Sequence, residues 1–149
     1  MAREAIKDKR RQQLIDATIE SIAKRGLTET TITHISKGAG MSRGIINFYF
    51  TSKENMMQAC LKHMLEEKDT LWQQAIAGEG DAYEKLQRLV KIHFDKKLCQ
   101  SKRLNVISAF WGHAAAHKAY SLPIAESDAQ WLASVGELWE QAAQVEPFK

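Results

Sequence analysis

The chain has 149 residues and a mass of 16.9 kDa, which suits one domain or a small head joined to a modest body. Hydrophobic residues make up 44% and charged residues 26%, so the composition excludes a disordered or low-complexity chain. Ten Lys or Arg face six Asp or Glu in residues 1–60, whereas eleven face twelve in residues 61–149. This basic head on a near-neutral body is typical of a protein that binds a polyanion.

The composition also predicts the fold class and the compartment. Eight Gly and two Pro give few turns, while strong helix formers are abundant, so we expect an all-α protein. No apolar run approaches the roughly 18 residues of a membrane span, and the N-terminus lacks the apolar segment of a signal peptide. We therefore expect a cytoplasmic protein. Cys60 and Cys99 have no metal-binding spacing and are expected to be free.

The first elements are short and rich in cap signals. Apolar residues at helical spacing predict helix 1 over residues 7–24, which Gly26 ends. A short helix 2 over residues 32–37 follows, and the segment 38–40 breaks it. Several threonines can supply its N-cap, namely Thr28, Thr30 and Thr31.

Two further caps define the next pair of helices. Ser42 is positioned to cap helix 3, which runs to about Phe48. The pattern Thr51-x-x-Glu54 predicts a capping box at the start of a long helix 4. One apolar stripe follows helix 4 as far as the break at residues 78–80.

Three more helices are predicted after that break. Asp81-x-x-Glu84 opens helix 5, helix 6 spans residues 102–117, and Pro123 is expected in the first turn of helix 7. The buried side of helix 5 is predicted to carry Leu86, Leu89, Val90, His93 and Phe94. We therefore expect seven helices, with a three-helix head joined by helix 4 to a helical bundle.

Helices 2 and 3 have the pattern of a helix-turn-helix, because two short helices flank a glycine-containing turn and a serine caps the second. With Ile46 and Phe50 directed inward, the opposite face of helix 3 presents Arg43, Gly44, Asn47 and Phe48. Arginine reads guanine and asparagine reads adenine in the major groove, and a glycine permits close approach of the backbone.

Groups suited to phosphate surround that face. They are Thr31, Thr33, Tyr49 and Lys53, with Lys9, Arg10 and Arg11 as a mobile arm. Helix N-termini add backbone N–H donors for the same anions. For Tyr49 and Lys53 the alternatives are a half-buried core aromatic and a solvated surface lysine.

The run Gly40-Met-Ser-Arg-Gly-Ile-Ile-Asn-Phe-Tyr-Phe-Thr-Ser-Lys53, preceded by Thr31-Ile-Thr-His-Ile-Ser, resembles the DNA-binding head of the TetR family of transcriptional repressors. The segments 13–22, 44–50 and 109–111 are also similar to its BetI-like branch, repressors of choline-to-glycine-betaine genes. The resemblance places Thr33, Arg43, Gly44 and Asn47 near bases. It places Thr31, Tyr49 and Lys53 near phosphates. Many family members carry Tyr where this chain has Asn47 and His where it has Tyr49, so the operator sequence does not transfer.

The resemblance also implies an organisation and partners. Residues 1–52 would form the DNA-binding domain, and residues 53–149 would bind an effector and dimerise. The partners would be a double-stranded DNA operator, a small-molecule effector and a second subunit. The chain ends soon after helix 7, in the tail 145–149, so we expect the family's last two helices to be missing.

The body is rich in aromatic residues, and such faces near a carboxylate suit a quaternary ammonium such as choline or betaine aldehyde. The predicted ligand-binding residues are Trp72, Phe94, Phe110, Trp111 and Trp139, with Asp95 as counter-charge. Tyr120 and Trp131 belong to the same aromatic set. The alternative is that each aromatic is simply a core residue.

Enzymatic chemistry finds little support in the sequence. No catalytic triad, phosphate-binding glycine loop or HExxH motif is present, so we expect no enzyme and no cofactor. His113 and His117 are spaced for one helix face, but two ligands make a weak metal site and none is predicted. The alternatives to a specific repressor are an all-α protein-interaction module and a nonspecific DNA binder without a ligand response.

Overall fold

The structure is a computed structural model that describes residues 2–144, and the predicted tail 145–149 lies outside the described residues. The all-α prediction is confirmed, since the described chain forms seven helices and no strand. They are α1 Ala2–Glu29, α2 Ile32–Ala39, α3 Arg43–Tyr49, α4 Lys53–Ala77, α5 Ala82–Ile92, α6 Ser101–Ala114 and α7 Lys118–Ala142. None of the described helices is long and apolar enough to cross a membrane.

Two hydrophobic clusters hold the helices together. The larger one joins buried residues of the first four helices to α6 and the start of α7, including Leu14, Ile46, Met57 and Phe110. The smaller one packs Trp72 against residues of α5 and α7. The larger cluster therefore crosses the boundary predicted at residue 52, and α1 packs directly against α6.

Glycine ends the N-terminal helices where the sequence predicts. Gly26 has φ 81° and ψ 171°, which interrupts the helical conformation inside α1. Gly40 has φ 63° and ψ 31°, and its N–H closes α2 on the Ser36 carbonyl. Both conformations lie in the region that favours glycine. The predicted start of helix 1 at residue 7 is wrong, because good helix formers extend α1 back to Ala2.

The capping predictions divide into correct and incorrect ones. Thr31 caps α2 and Ser42 caps α3, each through its side-chain oxygen, and Asp81 with Glu84 forms the expected capping box. The box predicted for Thr51 is wrong. Ser52 caps α4 instead, accepting a hydrogen bond from the Asn55 N–H at 3.0 Å.

Around α5 the helical pattern ends earlier than predicted. The helix stops at Ile92, and the chain then turns around Asp95, whose carbonyl accepts hydrogen bonds from the Leu98 and Cys99 N–H groups. Val90 and Phe94 are therefore exposed by 61% and 77% instead of buried, and His93 is exposed as well.

The boundary between α6 and α7 also differs from the prediction. Helix α6 ends at Ala114, and α7 begins at Lys118, so Pro123 lies inside α7 and not in its first turn. The extra turn is held by Tyr120, which is buried with its ring centroid 5.2 Å from that of Phe110. Burial of this aromatic side chain extends the helix ahead of the proline.

Candidate nucleic-acid interface

Helices α2 and α3 form a rigid pair joined by the turn 40–42. Ile35 and Ile46 are fully buried, so each helix is anchored to the core from one side. In the turn, the Met41 N–H donates to the Ser36 carbonyl at 3.1 Å, and Ser36 Oγ donates to the Met41 carbonyl at 2.5 Å. These bonds fix the angle between α2 and α3. A helix of only seven residues is unstable on its own, so α3 depends on contacts with its neighbours.

The outward face of α3 carries the residues that the sequence predicts. Arg43, Gly44, Asn47 and Phe48 are all exposed, with Phe48 exposed by 72%, whereas Phe50 is buried. Arg43 Nη2 donates to Thr33 Oγ1 at 3.2 Å, so the guanidinium is held by α2 at the edge of this face. The face thus offers an arginine fork, a carboxamide and an apolar ring within two helical turns.

The predicted phosphate-binding residues lie around this face and differ in their exposure and in the contacts they already make. Thr31 is exposed, and its side chain already accepts the His34 N–H at 3.2 Å as the cap of α2. Lys53 is half-buried and donates to the Thr28 carbonyl at 3.0 Å, which leaves further ammonium protons for an anion. Tyr49 is half-buried, packed edge-on to Phe48 with ring centroids 5.1 Å apart.

The basic N-terminal residues belong to a helix, so the predicted mobile arm is wrong. Arg11 stacks over Phe50 with its guanidinium carbon 5.3 Å from the ring centroid. Lys7 lies over Phe48 at 5.9 Å. Lys7 is a basic residue of this surface that the sequence reasoning missed. Its spacing of four from Arg11 places both on one helix face and is the signal that could have revealed it.

Together these features define the helix-turn-helix class of DNA-binding folds. Residues 14–60 match the family model described as bacterial regulatory proteins, tetR family, so the chain carries the N-terminal domain of that family. Over 118 residues, or 76% of this chain, it is 31% identical to the HTH-type transcriptional regulator BetI of Burkholderia ambifaria. It is 36% identical over 104 residues, or 68% of the chain, to BetI of Escherichia coli.

The chain spans 59% and 53% of the length of these two relatives, which are named as transcriptional regulators and not as enzymes. Among solved structures, a protein described as a transcriptional regulator from Pseudomonas aeruginosa PAO1 has a TM-score of 0.84 at 23% identity, covering 92% of this chain and 66% of that one. Another from Saccharomonospora viridis, solved in complex with choline, has a TM-score of 0.81 at 18% identity and covers 92% and 71%. These likenesses show the fold.

The six residues predicted to bind a ligand do not gather at one place. Phe110 is fully buried in the larger core cluster, where its ring contacts Tyr120. Phe94 and Trp139 are exposed by 77% and 58%. Asp95 caps its own turn by accepting the Lys97 N–H at 2.7 Å. The body has a cavity lined by aromatic side chains, between α4, α5, α6 and α7. None of these four residues lines it, because the chain turns away after Ile92 and Phe110 faces the head.

The other two predicted residues, Trp72 and Trp111, do line that cavity. It has a volume of about 540 Å³ between α4, α5, α6 and α7, and Trp131 forms a third aromatic wall. The Trp72 indole N–H is buried and has no hydrogen-bond partner among the described residues. The acidic residue at the cavity is Asp128, whose Oδ1 lies 3.7 Å from the Lys68 ammonium. Asp95, the counter-charge that the sequence predicts, does not line the cavity.

Helix α6 ties this cavity to the head through two neighbouring cations. Arg103 lines the cavity and donates to the Met64 carbonyl and to the Glu67 carboxylate, both on α4. Lys102 bonds Glu20 of α1 at 2.8 Å, and hydrogen bonds from Lys102 and then from Lys24 lower the pKa of Glu20 to about 2. A movement of the α6 N-terminus would therefore alter its contacts with both α1 and α4.

A second pair of contacts joins the other end of the body to the head. The Tyr120 hydroxyl donates to Glu54 Oε2 at 3.1 Å, at the start of α4. Burial, reinforced by the Glu54 charge, raises the pKa of Tyr120 to about 12. His113 Nδ1 donates to the Ala109 carbonyl, so its Nε2 is left to accept from Thr28 Oγ1 at 3.2 Å. Both nitrogens of His113 are thus engaged in holding α6.

Proposed function

We propose that this chain is a sequence-specific DNA-binding transcriptional regulator that acts as a repressor. The observation that carries this proposal is the exposed face of α3, where Arg43 and Asn47 stand beside Gly44 on a helix clamped from behind by Ile46. A helix of this size fits the major groove, where an arginine fork and a carboxamide distinguish bases. The tetR-family match over residues 14–60 supports the same function.

Within the proposal, residues 1–52 recognise DNA and residues 53–149 bind the effector. Arg43, Asn47 and Phe48 contact base edges from the exposed face of α3, and so does Thr33 of α2, which accepts a hydrogen bond from Arg43 at the edge of that face. The groups that contact phosphates are Thr31, Ser42, Tyr49 and Lys53, together with Lys7. Two such heads at a fixed spacing are needed for a palindromic operator, so the regulator acts as a homodimer.

The test is fluorescence anisotropy with the DNA upstream of the protein's own gene. Arg43→Ala should weaken binding by roughly 1–3 kcal/mol and relax the preference at one base pair. Lys53→Ala should weaken binding to all sequences alike and flatten the dependence on salt. Lys96→Ala, far along the chain in the turn after α5, serves as the matched charge control. If Arg43→Ala and Lys53→Ala each weaken binding equally on every DNA sequence, α3 does not recognise bases.

The second part of the proposal is that the cavity between α4 and α7 binds a quaternary ammonium of the choline type, and that binding releases DNA. Three tryptophans line the cavity, and each desolvated cation–π contact contributes up to roughly 2 kcal/mol. Asp128 supplies a carboxylate at the wall of the cavity. The BetI relatives and the choline complex of a similar fold support this ligand class.

Calorimetric titration with choline and with betaine aldehyde tests this part separately. We expect heat of binding, a loss of DNA affinity, and abolition of both by Trp131→Ala. Phe94→Ala removes an exposed aromatic side chain outside the cavity and should change neither. Absence of heat together with unchanged DNA affinity would remove the choline proposal and leave the DNA-binding proposal intact.

A further inference from the structure

Phe48 is an aromatic side chain that the core of the protein does not use. Its ring is 72% exposed, and it belongs to neither of the two hydrophobic clusters of the described residues. Phe50, two positions later, is buried in the larger cluster. Core packing therefore explains a phenylalanine at position 50 and gives no reason for one at position 48.

Two neighbours hold the exposed ring of Phe48 in place. The Tyr49 ring meets it edge-on, at an interplanar angle of 84° and with ring centroids 5.1 Å apart. The Lys7 ammonium lies over its face, 5.9 Å from the ring centroid. A side chain that is already held in one orientation loses less conformational entropy when it binds a partner. The ring is thus a pre-organised apolar contact surface.

The place of Phe48 on α3 puts this surface among the groups that recognise bases. Phe48 follows Gly44 by four residues, so the two positions lie on one side of the helix, about one turn or 5.4 Å apart. Arg43 and Asn47 precede them in the chain and are exposed on the same face. Phe48 is therefore the apolar side chain of a face whose other side chains form hydrogen bonds.

Of the four bases, only thymine presents an apolar group in the major groove, namely its C5 methyl group. We propose that Phe48 recognises the methyl group of one thymine in each half of the operator, and that Lys7 binds the phosphate beside that thymine while it holds the ring. This inference rests on the DNA recognition proposed above and adds the identity of one base. Phe48 determines specificity, and Lys7 is a positioning residue.

Lys7 is suited to this second contact because no carboxylate neutralises its charge. Within residues 2–144 it makes the contact with the Phe48 ring and no ion pair. The face of a ring attracts an ammonium group but accepts little from its N–H groups, which stay available to a phosphate oxygen. The methyl group of a thymine lies beside the backbone of its own strand. One ammonium group can therefore contact the ring and the neighbouring phosphate together.

A purely structural role for Phe48 makes a different prediction. The ring would then serve only to pack the N-terminal turns of α1 on α3 through Lys7. Its loss would lower the affinity for every DNA sequence by the same factor, because the whole head would be less well ordered. Recognition of a methyl group instead confines part of the loss to one base pair.

Deoxyuridine separates these two roles, because it pairs as thymine does and lacks only the methyl group. Footprinting first locates the protected segment in the upstream DNA. Each thymine of that segment is then replaced in turn by deoxyuridine in synthetic duplexes, and affinities are measured by fluorescence anisotropy. At one thymine of each half-site we expect the replacement to weaken binding by roughly 4-fold, the effect of burying one methyl group.

Three variants assign this preference to its residues. Phe48→Ala should bind the thymine and deoxyuridine duplexes equally well at that position. Lys7→Ala should reduce the preference, because the ring is no longer held, and should lower the salt slope by about one phosphate contact. Phe94→Ala removes another exposed ring, in the turn after α5, and should retain the full preference. Circular dichroism confirms that each variant is folded.

Each other outcome overturns a defined part of the inference. If every deoxyuridine duplex binds as tightly as its thymine counterpart, or if Phe48→Ala retains the preference, recognition of the methyl group is wrong. Recognition of DNA by Arg43 and Asn47 would then still stand. If Lys7→Ala changes neither the preference nor the salt slope, the role of Lys7 is wrong. If the thymine duplex itself is not bound, the proposed function and this inference fail together.

Discussion

The substitution Gly44→Ala, which adds a single methyl group, should change the stability of the fold and the affinity for DNA in opposite directions. Gly44 is the second residue of α3, it is exposed, and its φ lies outside the positive range that favours glycine. A Cβ atom built there would come no closer than 3.8 Å to Ser42 Oγ, which is an ordinary contact. Gly44→Ala should therefore stabilise the fold by about 0.5–1 kcal/mol, since alanine has the higher helix propensity. Thermal unfolding followed by circular dichroism should show a rise of about 1–4 °C.

Binding should change in the opposite direction. If α3 approaches the floor of the major groove at Gly44, the added methyl group occupies space that the duplex needs. By analogy with overpacked interiors, the loss is about 1–3 kcal/mol, roughly a 5- to 150-fold weaker affinity in an anisotropy titration. A more stable protein that binds DNA less tightly cannot be explained by partial unfolding.

Gly112→Ala is the matched control. Gly112 also lies in a helix and is exposed, and a Cβ atom there would meet nothing within 4 Å among the described residues. The same gain in stability is expected, with DNA affinity unchanged. If Gly44→Ala retains full affinity while both variants are stabilised, the backbone of α3 does not lie against the duplex, and the docking deduced from the exposed face is wrong.

Three further predictions concern the contacts that hold the helices. Ser52→Ala should destabilise the protein by about 1 kcal/mol in urea titration through loss of the α4 cap, whereas Thr51→Ala should cost little. Tyr120 keeps its proton to about pH 12 in the folded state but ionises near pH 10 when unfolded, so stability should fall between these values. Tyr120→Phe should flatten that alkaline slope. Glu20 contributes stability above its ordinary pKa of 4.5 that is lost as the pH falls towards 2. Glu20→Gln should reduce the acid slope slightly, since the carboxylate is exposed; an unchanged slope would mean that the Lys102 contact does not persist in solution.

The sequence predicts best where structure is local. The N-cap of α3 by Ser42 and its exposed recognition face follow from spacing within ten residues, and so does the capping box of α5. The cavity was harder to predict, because its walls come from four helices. Phe110 and Trp111 are adjacent in sequence, yet one faces the head and the other the cavity. The spacing of the apolar residues does not indicate which of the two rings faces the cavity.

Long-range packing explains one further difference from the predictions. The extra turn of α7 forms because Tyr120 reaches Phe110 and Glu54, contacts that no local pattern encodes. The choice of Ser52 over Thr51 as cap is a one-residue difference of the kind that sequence patterns resolve poorly. The contacts of Lys7 with Phe48 and of Arg11 with Phe50 join residues some forty positions apart, so no local pattern predicts them.

The hydrophobic cluster shared by α1, α3, α4 and α6 makes the head and the body of the chain mutually dependent. A fragment cut after residue 52 would lose Val106 and Phe110 from this cluster and would expose the part of α1 that packs on α6. Such a fragment should be poorly folded in isolation. Transplanting the head onto an unrelated body would require α6 to travel with it, so specificity in this architecture is exchanged most readily by changing a few side chains on α3.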